Sequence, residues 1–191
     1  MISAKPLKLP DYAAKRWIFW GVPAIFAIGV FNHYVFDLLG RLNVAGIFAP
    51  INESVWEHLK LAFWPTILWW AAGYCLLAEK NKVSASQWMI SSASAALLSP
   101  AIILGFYYTY TWALGIESLF LDVFSLLLAT ALSQGVAYRL YKNKARNRFF
   151  VFTVLLLFIL AAFAFGFFTF YPPHIPLFRD PPTGTYGIWA G

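Results

Sequence analysis

The sequence predicts an all-α integral membrane protein, a single domain built as a bundle of five transmembrane helices. Three observations predict it. Hydrophobic residues make up 61% of the 191 residues and charged residues only 12%, about half the charge of an average soluble domain. The apolar residues gather in stretches close to the ~20 residues that a helix needs to cross hydrocarbon. The basic residues gather on alternate connections, the pattern by which membrane helices record their orientation.

Residues 1–16 read as a polar, basic cytoplasmic arm with Pro6 and Pro10. The first span covers 17–39 and holds Pro23 and Gly29. It follows Lys15 and Arg16 as the core of a signal peptide would, but it is longer than such a core. No small-x-small cleavage site ends it, so we read it as a retained anchor. A mostly uncharged loop with Pro50 leads into the second span, 53–78, where Pro65 predicts a kink. In the third span, 84–110, Ser92 with Ala96 and Ala95 with Ser99 give small-xxx-small spacing. That spacing lets helices approach closely in lipid and assigns this span to the bundle centre. The fourth span covers 118–138. The fifth, 149–171, is dominated by Phe and almost free of polar atoms, so it faces lipid. Residues 172–191 form a Pro-rich tail.

Five spans place the termini on opposite sides. Of the 14 lysines and arginines, all but Arg41, Lys60 and Arg179 fall on the N-terminal side. The positive-inside rule then puts the N-terminus in the cytoplasm and the tail outside, in the cytoplasmic membrane of a bacterium. Because orientation accounts for the basic flanks, the net charge of +6 does not imply nucleic-acid binding. Cys75 is the only cysteine, which excludes a disulfide framework and a cysteine metal motif.

The polar groups are concentrated on the tail's side. With a rise of about 1.5 Å per residue, His33 lies roughly 24 Å from Trp17, and His58 falls near the outer boundary of the second span. Six of the 8 acidic residues (Asp37, Glu53, Glu57, Glu117, Asp122 and Asp180) and all 3 histidines share that layer. A carboxylate or imidazole in hydrocarbon costs several kcal/mol without a partner. His33, Asp37 and Asp122 are therefore expected to point inward, toward the opening turn of the second span.

Three motifs carry this chemistry. His33 and Asp37 are four apart, as in a structural pair or in an imidazole oriented by a carboxylate. Ser54-x-x-Glu57 matches a capping box, with Asn52 as an alternative cap and Glu53 adding charge to the first turn. That reading leaves His58 unexplained, about 100° around the helix from Glu57. In the tail, Ile175, Leu177, Phe178, Tyr186, Ile188 and Trp189 need a dry surface. Folding the tail across the outer mouth would supply one, and would bring His174, Arg179 and Asp180 over the second span.

His33-x-x-x-Asp37, the segment Ala49-Pro-x-Asn-Glu-Ser-Val-Trp-Glu-His-Leu-Lys60 and the tail motif Ile175-Pro-Leu-Phe-x-Asp-Pro-x-Thr-Gly-x-Tyr-Gly187 together resemble an uncharacterised family of small bacterial multi-pass membrane proteins. The resemblance spans most of the chain and implies no activity. The residues themselves suggest a metal-dependent hydrolase acting on a lipid or other amphiphile at the outer leaflet. His33, His58 and His174 would bind a divalent metal such as zinc. Asp37 or Glu57 would be the catalytic carboxylate, supported by Asn52, Glu53, Ser54, Asp122, Arg179 and Asp180. Two other readings compete: a binding or structural protein of the membrane, and a cation or proton carrier. The carrier suffers from the near absence of ionisable groups in the inner halves of the spans.

Overall fold

The computed structural model describes residues 9–78, 83–143 and 147–188, with side chains from Tyr12 onward. Lys5, Lys8, Lys80, Lys82, Lys144 and Arg146 of the basic flanks, and Trp189 of the tail, lie outside the described residues. Among the described residues seven α-helices follow in order: α1 (Leu9–Asn32), α2 (Val35–Leu38), α3 (Asn43–Phe48), α4 (Val55–Ala78), α5 (Ala85–Tyr108), α6 (Leu119–Lys142) and α7 (Arg148–Phe170). A π-helical turn, Thr109–Ala113, extends α5, and a 3₁₀ turn, Pro176–Phe178, lies in the tail. No strand occurs among the described residues; Arg179 and Tyr186 form one isolated bridge. Five helices (α1, α4, α5, α6 and α7) are long and apolar enough to cross a membrane.

α1, α4, α5 and α6 form the bundle proper, with α7 packed mainly on α5. Small residues explain the centre. Ser91, Ala95, Ala96 and Ser99 of α5 are fully buried, because side chains of that size let neighbouring backbones close up. The span of α7 has the highest mean hydropathy, 2.7, and only 11% of it is buried. Such a helix needs no protein partner on most faces, since lipid solvates its phenylalanines as well as a core would.

At the end of the bundle away from the candidate site, indole groups tie the helices together. Trp17 and Trp69 stack with ring centroids 4.4 Å apart, and each donates its Nε1 hydrogen to the other's carbonyl. Trp88 donates to the Trp70 carbonyl, and Trp70 donates to Gln134 Oε1.

The first span departs from expectation. It was read as one helix over 17–39, but α1 stops at Asn32. The Tyr34 amide reaches back only to Phe31, and α2 starts afresh at Val35. The Asn32 side chain donates to the Phe48 carbonyl of α3 at 2.9 Å. That bond anchors the chain end where the helix breaks.

The capping box is also only half formed. The Glu57 amide donates to Ser54 Oγ at 3.4 Å, as expected, but the Ser54 amide is taken by Asn52 Oδ1 at 3.0 Å. Glu57 turns away instead. Its Oε2 accepts from the Ile51 amide at 3.1 Å and from Lys60 Nζ at 2.5 Å. Lys60 is completely buried, and its ammonium also donates to the Gly46 carbonyl and the Thr169 hydroxyl, each at 2.7 Å. All three ammonium hydrogens therefore have an oxygen, which a buried charge requires. One side chain thus ties α3, α4 and α7 together.

The tail covers this junction. Phe178 lies on Trp56 with ring centroids 4.8 Å apart, and the Ile188 amide donates to the Thr169 carbonyl at 3.0 Å.

Lys60→Met leaves the Glu57 carboxylate buried without its counter-charge. It is expected to lower the stability of the detergent-solubilised protein by about 3–5 kcal/mol, measured by thermal or denaturant unfolding. Adding Glu57→Leu removes the stranded charge and should recover most of that loss.

Candidate metal centre

The end of α1, the first turn of α4, the π-helical turn and the start of α6 surround a cavity of about 540 Å³. Each polar side chain in it is placed by a local cause. Gly29 lies one turn before His33. A Cβ there would come within 2.5 Å of the Leu61 carbonyl oxygen, so only glycine lets α1 approach α4 this closely. The approach brings His33 Nε2 to 3.2 Å from His58 Nε2.

His58 is oriented by its own helix turn. Its Nδ1 lies 2.9 Å from the Ser54 carbonyl oxygen. A carbonyl only accepts, so Nδ1 carries the hydrogen. In the neutral ring the Nε2 lone pair is then free and faces His33, the arrangement in which an imidazole serves as a metal ligand.

Glu53 comes from the turn before α4, and the tail fixes it. Its amide donates to Asp180 Oδ1 at 2.9 Å. Asp180 is buried and also accepts from the Thr183 hydroxyl, while its own amide donates to the Thr185 carbonyl at 2.9 Å. The Glu53 carboxylate oxygens lie 3.7 Å from His33 Nε2 and 3.4 Å from His58 Nε2. When His58 is protonated its Nε2 donates to this carboxylate, and that hydrogen bond, with the charge on the two rings, holds the carboxyl below the usual carboxylate range despite its partial burial.

Three ligand atoms, two ring nitrogens and one carboxylate oxygen, lie within 4.8 Å of one another. A hydrogen on His33 Nε2 donated to the His58 Nε2 lone pair satisfies this contact, and a metal ion among the three atoms is the alternative occupant. Tetrahedral ligands about 2.0–2.1 Å from a metal stand about 3.3 Å from each other. The two ring nitrogens, 3.2 Å apart, are close to that value, and Glu53 turns one carboxylate oxygen to each ring, Oε1 3.7 Å from His33 and Oε2 3.4 Å from His58. His33 and His58 are each about one-third exposed and Glu53 about one-half, at 53%, so the group is reachable from the cavity.

In the same lining Tyr110 donates its hydroxyl hydrogen to Asp122. The π-helical turn supplies Tyr110 and the first turn of α6 supplies Asp122. Such turns re-aim side chains that an α-helix would point elsewhere.

Of the residues singled out in the sequence, His33, His58 and Glu53 come together and Asp122 lines the same cavity. Ser54 and Asn52 shape the turn beneath, and Asp180 holds that turn from the tail. The others lie elsewhere. The helix break after Asn32 takes Asp37 away from His33 to an exposed pair with Arg41 at 2.8 Å. Glu57 is committed to Lys60. His174 stacks on Tyr186 with ring centroids 4.5 Å apart, and Arg179 is exposed at the start of the tail's turn; neither lines the cavity. Sequence reasoning missed Lys60 and Tyr110. A lone lysine three residues after a glutamate, inside an apolar run, was a usable signal for the first. Nothing in the sequence marks the π-helical turn that aims the second.

Residues 8–188 match the model of a family described as "Family of unknown function (DUF6512)". No curated protein and no solved structure matches the chain.

Asp180→Ala removes the acceptor that holds the Glu53 amide. Hydrogen bonds to a charged partner contribute about 1.5–3 kcal/mol. Hydrogen exchange of that amide is therefore expected to speed up by about ten- to a hundredfold while the helical content stays unchanged.

Proposed function

The chain belongs to the DUF6512 family of unknown function, and from that premise and the cavity's geometry we propose that it is a metal-dependent hydrolase of the bacterial cytoplasmic membrane. His33, His58 and Glu53 hold one divalent ion of the zinc type, and the bond cleaved belongs to an amphiphile at the outer leaflet. The observation that carries this reading is the convergence of two Nε2 atoms and a carboxylate oxygen, with His58 Nδ1 locked on a carbonyl. Two nitrogens, one oxygen and an open side match the ligand types of catalytic zinc sites.

In this reading Glu53 and the two histidines would hold the ion, whose chemistry would be to make a neighbouring water more acidic. The water oxygen bonds to the substrate's carbonyl carbon. Its proton passes to the Asp122 carboxylate, which Tyr110 holds in place. The bond to the leaving oxygen then breaks, and that oxygen takes the proton. Addition of water accounts for every atom, so no redox partner is needed.

One observation favours a non-enzymatic reading. A single proton between His33 and His58 would itself tie α1 to α4.

Metal content separates the two. Protein purified with micromolar zinc is expected to carry about one ion per chain. His33→Ala, His58→Ala and Glu53→Gln should each weaken binding by more than about tenfold, and His174→Ala should not. Hydrolysis of an amphiphilic ester should disappear with chelator and with the same three variants. Zinc-free wild-type protein, or full zinc content in all three variants, would overturn the proposal.

A further inference from the structure

The cavity has a charge pattern that cleavage alone does not use. Besides Glu53, its lining contains the carboxylates of Glu117 and Asp122, and among the described residues it contains no lysine or arginine. The chain as a whole carries a net charge of +6, so this lining runs against the composition. Three tyrosines, Tyr34, Tyr107 and Tyr110, stand beside the carboxylates. The Tyr107 and Tyr110 rings meet nearly edge to face, 5.6 Å apart at 77°. Tyrosine faces attract a cation through the ring quadrupole, and carboxylates provide the opposite charge. A quaternary ammonium needs nothing more, because it has no hydrogen to donate. Apart from an ion held by His33, Glu53 and His58, a phosphate, sulfate or carboxylate head would meet no positive charge there, and Glu117 and Asp122 would repel it.

The position of the opening adds a second constraint. Val30 and Tyr34 on one side, and Leu119 and Val123 on the other, line the cavity and are also exposed at the surface, with 40, 59, 78 and 43% exposure. Leu61, Ile103 and Leu126 form an apolar floor. In a spanning bundle such exposed apolar side chains meet acyl chains, which would give the cavity a sideways entrance. A head group can enter there while its chain stays between the exposed faces of α1 and α6.

We infer that the substrate is an amphiphile with a cationic head, a protonated amine or quaternary ammonium, taken from the lipid phase between α1 and α6. The head lies against Glu117 and the tyrosines, with Asp122 adding negative charge to the same cavity, and the scissile ester or amide lies beside His33, Glu53 and His58. Water adds across that bond: its hydroxyl goes to the acyl carbon and its hydrogen to the leaving oxygen or nitrogen. The cleavage rests on the hydrolase reading, whereas the head-group preference does not.

The test uses the full chain in nanodiscs, with empty nanodiscs subtracted. Binding of dodecyltrimethylammonium is compared with binding of dodecanoate, an anionic head on a chain of equal length, and zinc is measured on the same samples. The cationic amphiphile is expected to bind at least about tenfold more tightly. Glu117 is exposed, so Glu117→Gln and Glu117→Lys should fold; the first should weaken the preference and the second abolish or reverse it. Asp122→Asn should weaken it as well, with zinc content unchanged in all three variants. Equal binding of the two heads, or a preference that Glu117→Lys and Asp122→Asn both leave intact, overturns the inference, even where zinc is bound. A preference that persists in protein without zinc supports it and removes the metal reading instead.

Discussion

One ammonium group organises the functional end of the molecule. Lys60 has no solvent contact, and it presents its three hydrogens to the Glu57 carboxylate, the Gly46 carbonyl and the Thr169 hydroxyl. Those oxygens come from α4, α3 and α7. A charge this deep is tolerable only if every donor is satisfied and an opposite charge is adjacent. The three elements must therefore meet in one arrangement, and the Glu57 charge is committed to the lysine. The Glu57 carboxylate also accepts from the Ile51 amide, so the same pair shapes the turn that presents Glu53.

The first turn of α4 thus divides its work by direction. Glu57 and Lys60 face α3 and α7 and hold the fold. His58 leaves the helix about 100° from Glu57 and faces α1. Between them Ser54 serves both sides. Its hydroxyl caps the turn, and its carbonyl accepts the Nδ1 hydrogen of His58. The tail completes the arrangement, since Asp180 holds the Glu53 amide. What results is two ring nitrogens and a carboxylate gathered within 4.8 Å of one another, a group that either a proton or a metal ion can bridge. The cavity beyond is lined by the carboxylates of Glu117 and Asp122 and by Tyr34, Tyr107 and Tyr110.

Much of this was legible in the sequence, because bilayer thickness and the cost of unpartnered charge act on composition directly. The five long helices follow from apolar length, and the buried face of α5 follows from small residues at spacing of four. The layer of polar groups followed from helical rise, and it led to His33, His58, Glu53 and Asp122. What was not legible depends on chain direction at ends and turns. Asp37 was placed beside His33 on the assumption of an unbroken first helix, and the break after Asn32 separates them. His174 was expected with the other imidazoles, but the tail's fold stacks it on Tyr186. The capping pattern at Ser54 and Glu57 was consistent with the local sequence, yet a lysine one turn on, bonded across to α3 and α7, offered Glu57 a stronger partner. Long-range partners of that kind leave no local periodicity to read.

The central claim is that His33, His58 and Glu53 form one metal-binding site. X-ray absorption at the zinc edge of the loaded wild-type protein tests it most directly. The account predicts two imidazole nitrogens and oxygen ligands at about 2.0–2.2 Å in a coordination shell of four or five. A shell of water oxygens alone, or an absorption pattern without imidazole scattering, would contradict it.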